Sequence, residues 1–123
     1  MIRAGPLARK TSSAIWRAMP KIITDAKSFT ADHAWGARDL ALVEGASVRL
    51  HWTDQPYDWH VNDGAEVFLV LEGEVEMRYR QDGAERSVRL GPADMFIAEA
   101  GDAHVAHPIG AARVLVIEKE GSI

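Results

Sequence analysis

The chain has 123 residues, no cysteine and a formal net charge of −4. That length holds one domain with a single core, the lack of Cys excludes disulfides and thiolate metal sites, and the acidic balance argues against general nucleic-acid binding. No apolar run approaches the roughly 18 residues that a membrane span needs.

The charge is unevenly spread. Residues 1–21 hold Arg3, Arg9, Lys10, Arg17 and Lys21 with no acid, so the remainder carries a net −9. This opening stretch of Ala, Ser, Thr and Arg has the look of a transit peptide but lacks the apolar centre of a secretory signal, and a cytoplasmic location is expected. Residues 1–18 read as a basic N-terminal arm with Ile15, Trp16 and Met19 as apolar anchors, a partner subunit being one surface they would suit. The other reading is an upstream start, with Met19-Pro20 as the natural beginning. Either way the domain proper is residues 19–123.

Residues 12–18 suit one or two helical turns. Asp25–Lys27 and Ala31–Trp35 are short and polar, with Phe29 and Trp35 as core contacts. From Asp39 onward the pattern is β: Leu40 and Leu42 alternate with Ala41 and Val43, and Gly45 ends the run. Val48, Leu50 and Trp52 then alternate with Arg49 and His51, and Asp54-Gln55-Pro56 is a turn signal. Glu66–Leu71 is apolar on both faces after the Glu, as a strand between two layers would be. Glu72-Gly73 reads as a turn, followed by the period-two strand Glu74–Arg80 with Val75, Met77 and Tyr79 facing in. Asp82-Gly83 is a hairpin signal, because both residues tolerate positive φ. Ser87–Leu90 returns, Gly91–Asp94 turns, and Met95–Ala98 is the next strand. After Gly101 a strand passes near His104, a turn is expected at Pro108–Gly110, and Val114–Ile117 closes the chain. Short strands at roughly ten-residue spacing indicate an all-β sandwich or barrel.

The chemistry concentrates at two bends. His60-Val61-Asn62-Asp63-Gly64-Ala65-Glu66 leads into a strong strand, and Gly101-Asp102-Ala103-His104 leads into another. Residues two apart on a strand share a face, so His60 and Asn62 can aim into one interior. Glu66 opens the next strand and His104 enters from a third. Imidazole and carboxylate together suit a divalent Fe, Zn, Mn or Ni ion.

Residues 58–107 resemble a cupin, a small jelly-roll β-barrel family with two motifs. The first runs His-x-His, three or four residues, Glu, six residues, Gly, and His60-x-Asn62 with Glu66 and Gly73 fits that spacing. The second is Pro-x-Gly-x-x-His, which Glu99-Ala100-Gly101-Asp102-Ala103-His104 follows with Glu99 in place of Pro. The phrases Val70–Glu74 and Leu90–Met95 also read like the family. The resemblance implies a single-domain cupin-type barrel whose metal site would be held by His60, Asn62, Glu66 and His104. Asn62 stands where the family has a second His and is a poorer ligand. His60, Glu66 and His104 then form a two-His-one-carboxylate set, the facial arrangement of non-haem Fe(II) sites.

Each candidate has a plain structural reading beside it. His60 and Glu66 would also make a buried hydrogen-bonded pair, and His104 a satisfied core histidine. Glu99, at the rim, is a candidate catalytic acid or base, or a solvated turn residue. Asp58 would orient His60 as a hydrogen-bond acceptor. His51 is an outlying pocket candidate, while His107 should face away from His104 and His33 lies on the surface. Trp52, Tyr57, Trp59, Phe68, Met77 and Phe96 supply pocket-wall or core material. The expectation is a homodimer with a barrel pocket for a small polar organic molecule. With a divalent metal it would be an enzyme of oxygenase, isomerase or lyase type. Without metal it would be a non-catalytic small-molecule or sugar-binding module, or a structural dimer with an inert barrel. No nucleic-acid or membrane partner is expected.

Overall fold

A computed structural model describes residues 19–122. The expected basic arm, with its helical turns and its anchors Ile15 and Trp16, lies outside the described residues, and Met19 at their edge is largely exposed. After a 3-10 turn at Ala26–Ser28 the chain is built of strands: β1 (Gly36–Val43), β2 (Ala46–Thr53), β3 (His60–Val61), β4 (Glu66–Gln81), β5 (Ala84–Leu90), β6 (Met95–Ala98) and β7 (Ala103–Lys119). Among the described residues no helix is long and apolar enough to cross a membrane.

Two tight hairpins fix the local register. Glu44-Gly45 joins β1 to β2 with φ values of 51° and 83°, and Asp82-Gly83 joins β4 to β5 with 53° and 77°. Positive φ at both central residues matches the twist of the flanking strands. All strand pairs are antiparallel.

β4 and β7 lie side by side from Glu66↔Glu118 to Tyr79↔His104 and serve both halves of the barrel. One half places β2 and then β1 beside β7, and β6 beside β4. The other places β3 beside β7 and β5 beside β4. This corrects two expected turns. Glu72-Gly73 does not end a strand, and Pro108–Gly110 does not separate two: β4 and β7 each run through as one strand. What the glycines mark is a bulge, where the ladder slips between Glu72↔Arg113 and Glu74↔Ile109. Strand β1 also begins at Gly36, three residues before the β pattern is legible.

The bulge inverts the pleat. Before it, even-numbered Phe68 and Val70 are buried; after it, odd-numbered Val75 and Met77 are. An unpaired residue in a ladder produces this change of face. It lets the two halves turn their apolar sides toward each other, and Phe68, Val70, Val75, Met77, Leu90, Ala106, Ala112, Val114 and Val116 form one core. Gly73 is required there. Its φ is +85°, and a Cβ would press on the Ala111 carbonyl oxygen and lie 3.0 Å from Ala112 Cα. The architecture is an all-β barrel built on the long β4–β7 pair.

Candidate metal centre and its pocket

Three strands each bring one donor to the same place. His60 on β3 is the direct cross-strand partner of His104 on β7, and their rings stand 4.3 Å apart, edge to face. Glu66, the first residue of β4, completes the group: its Oε1 lies 3.4 Å from His104 Nε2 and 4.0 Å from His60 Nε2. One ligand atom from each of the three falls within 4.8 Å of the others. The bends that precede these strands are tied together by backbone. Asn62 N–H donates to the Asp102 carbonyl at 2.8 Å, and Gly101 N–H donates to the Asn62 carbonyl at 2.8 Å. Asp102 Oδ2 accepts from the Glu99 N–H at 2.8 Å, closing the second bend on itself.

The surroundings orient each donor. His60 Nδ1 lies 3.3 Å from the Asp58 carbonyl oxygen, which can only accept, so a proton on Nδ1 is held there and Nε2 is the ring nitrogen turned toward Glu66. Asp58 thus does the orienting anticipated for it, but with its backbone rather than its carboxylate. His104 is almost wholly buried and packs against Phe96, ring centres 5.2 Å apart. Asn62 is buried too, and its Nδ2 donates to Glu66 Oε1 at 2.8 Å. Burial pushes Glu66 up, but the hydrogen bonds from His104 and Asn62, with the charge of His104 and His60, outweigh it and hold the carboxyl below its ordinary value.

Asn62 Oδ1 and His104 Nδ1 are buried without a hydrogen-bond partner among the described residues. Stranded buried polar atoms cost about 1–3 kcal/mol each. Two imidazoles, a carboxylate held ionised and an unpaired amide oxygen are a donor set that a divalent cation of the Fe, Zn, Mn or Ni kind fits. His60, Glu66 and His104 would hold it, with Asn62 Oδ1 beside them.

The centre opens into a cavity of about 210 Å³. Its lining combines apolar and aromatic Trp35, Tyr57, Phe68, Ala106 and Val116 with polar Arg49, His51, Glu118 and Ser122, Arg49 standing directly across the ladder from Val116. Glu99 is exposed in the β6–β7 bend and is not among the lining residues. His107 lies opposite Glu76 on the ladder, away from the donor group, and His33 is exposed beside Asp32. Trp59 stacks under Arg80 instead of entering the pocket, and Met77 belongs to the core.

The sequence reading missed most of the polar wall. Arg49 and His51 alternate with Leu50, and a charged residue in such a pattern ordinarily faces water. Here Leu50 is the buried residue of the opposite face, and the Arg49/His51 face lines the pocket. Glu118 sits directly across from Glu66. Burial pushes its carboxyl up, and the nearby charges of Glu66 and Asp63 push the same way. His51 Nδ1 lies 3.1 Å from the Trp35 carbonyl, and burial lowers its basicity.

No family model matches the chain. A 62-residue stretch, half of the chain, is 34% identical to 3-hydroxyanthranilate 3,4-dioxygenase of Bos taurus; the matched stretch spans 22% of that protein's length. Among solved structures, a cupin-2 domain protein from Shewanella frigidimarina superposes with a TM-score of 0.65 at 22% identity, covering 73% of this chain and 85% of that one. A hydroquinone 1,2-dioxygenase in complex with Fe3+ superposes with a TM-score of 0.65 at 17% identity, covering 73% of this chain and 29% of that one. These structural likenesses establish the cupin fold.

Proposed function

We propose that the protein is a metal-dependent cupin enzyme of oxygenase type, acting on a small polar organic molecule bound in the barrel. The observation that carries this reading is the convergence of His60, Glu66 and His104, one ligand atom of each within 4.8 Å of the others, on the lining of a cavity. The dioxygenases among the similar proteins support the reaction class. A bound Fe(II) would supply O₂ and Lewis-acid chemistry there.

The chain's own residues have definable tasks. His60 is oriented by Asp58, with Nε2 turned toward Glu66. Asn62 holds Glu66 ionised and immobile. Tyr57, Trp35 and Phe68 exclude water from one side of the cavity. We further propose a homodimer: Met95 and Ile97 on β6 are more than half exposed and continue across the ladder to Leu69 and Val67, an apolar strip on the outer face. Light scattering on the purified protein tests that point.

The deciding experiment for the enzyme reading is elemental analysis of protein purified without chelator, followed by oxygen-electrode measurements after anaerobic Fe(II) loading. Stoichiometric metal and substrate-dependent oxygen consumption are expected. Protein that takes up no metal under either condition leaves the binding-module reading in its place.

A further inference from the structure

Trp35 is the most unusual residue of the pocket. It is a bulky aromatic at φ 62°, a conformation that costs an L-residue about 1–2 kcal/mol and collects at functional sites. The bend is locked: Gly36 follows it buried, with no room for a side chain beside Ala31. The Trp35 carbonyl accepts from His51 Nδ1, and its ring packs edge-on to Tyr57 at 5.4 Å. Its indole Nε1 is closed off from the cavity and has no hydrogen-bond partner among the described residues. What Trp35 offers a ligand is the flat surface of a ring fixed in the pocket wall.

Arg49 supplies the second element. It is the cross-strand partner of Asp39, whose Oδ1 takes its Nε at 2.7 Å. Neither Nη group hydrogen-bonds to a described residue. The salt bridge therefore steadies the guanidinium on one edge and leaves the paired Nη donors for a planar two-oxygen anion, the geometry that guanidinium matches best. The remaining wall is flat aromatic and aliphatic surface. A cavity of about 150 Å³ holds benzene, so about 210 Å³ has room for one six-membered ring with one or two substituents.

We infer that the pocket selects a small planar carboxylic acid, its carboxylate held by Arg49 and its ring against Trp35, Tyr57 and Phe68. This names the substrate class of the site and rests on reading it as a small-molecule pocket. His51 adds to the discrimination. With Nδ1–H given to the Trp35 carbonyl, its neutral ring offers no second positive charge, so Arg49 is the anchor that sets the preference for an anion.

The test uses two probes of equal shape, 3-hydroxybenzoate and 3-hydroxybenzamide, in calorimetric titrations of the full chain before and after Zn(II) loading, with metal content measured on the same samples. Wild type should bind the acid at least tenfold more tightly than the amide. Arg49→Met should bring the two within about twofold, and Arg49→Lys should keep part of the preference, since it retains charge but not the fork. Trp35→Ala should weaken both probes by about fivefold, the worth of one lost aromatic contact. Failure of wild type to bind the acid, equal binding of acid and amide, or a preference that survives Arg49→Met overturns the inference. An unchanged affinity in Trp35→Ala overturns the part assigned to the ring. Metal uptake without acid preference would sink this inference alone; acid preference in protein that takes no metal would sink the enzyme reading alone.

Discussion

Replacing Asn62 with Leu, which keeps the branched outline but is bulkier, separates an ion site from a closed polar cluster. In metal-free protein the effects partly oppose. The substitution removes the Nδ2–H to Glu66 Oε1 bond of 2.8 Å, a charge-assisted bond worth about 1.5–3 kcal/mol, and its methyls overpack a buried position by about 1–3 kcal/mol. It also removes the stranded Oδ1, relieving about 1–3 kcal/mol. The net loss should be about 1–3 kcal/mol. With metal present the balance shifts. If Oδ1 faces the ion, its penalty is already relieved in the wild type, and the mutant loses both the amide donor and an oxygen from the donor set. Metal affinity should then fall at least tenfold, about 1.4 kcal/mol. Differential scanning calorimetry of chelator-treated and Zn(II)-loaded samples, with a competition titration for affinity, measures both quantities. A mutant destabilised by more than about 3 kcal/mol without metal, yet unchanged in metal affinity, would refute the reasoning: Oδ1 would be satisfied by something other than an ion.

Other expectations follow from the same geometry. Glu66→Gln should abolish metal uptake, because it removes the one anionic donor, and metal analysis checks it. The Glu66 carboxyl lies below its ordinary value of 4.5 when folded, so its contribution to stability is complete above that value and is lost as pH falls through the depressed native one. Acid melts should therefore show a loss of stability below pH 4.5 in wild type that Glu66→Gln lacks. Gly73→Ala should cost about 2–5 kcal/mol, combining a left-handed Ala with a side chain forced against the Ala111 carbonyl, and urea melts read this directly. A chain beginning at Met19 should melt cooperatively with the midpoint of the full chain; insolubility would show that residues 1–18 belong to the core.

The fold was legible because its two motifs and their turn residues sit at fixed offsets. Asp82-Gly83, Glu66 at a strand start, and Val75 and Met77 facing in all follow from local chemistry. What local chemistry did not reveal is continuity. Gly73 and Gly110, both at positive φ, carry the same signature whether they end a strand or bulge it, and only the β4–β7 pairing decides between the two. The pocket divides in the same way. His60, Glu66 and His104 were readable from motif spacing. Arg49 and Glu118 were not, because alternation gives which residues share a face but not which face looks inward. Leu50 supplies the false cue: it is buried on the far side of β2.

The substitution of an amide for an imidazole at position 62 then acquires a physical sense. An imidazole there would compete for the ion but could not both donate to Glu66 and leave a coordination position free. Asn62 donates its N–H to the carboxylate, offsetting the cost of burying that charge, and keeps only a weak oxygen for the site. The three stronger donors all lie at or next to the first residue of a strand, with Asn62 in the bend between two of them. Each is therefore fixed by a ladder on one side and by the tie between the two bends on the other. On the proposed function, an ion held by these three donors would keep positions open for substrate or oxygen, and the cavity that Trp35 and Arg49 help to line adjoins them.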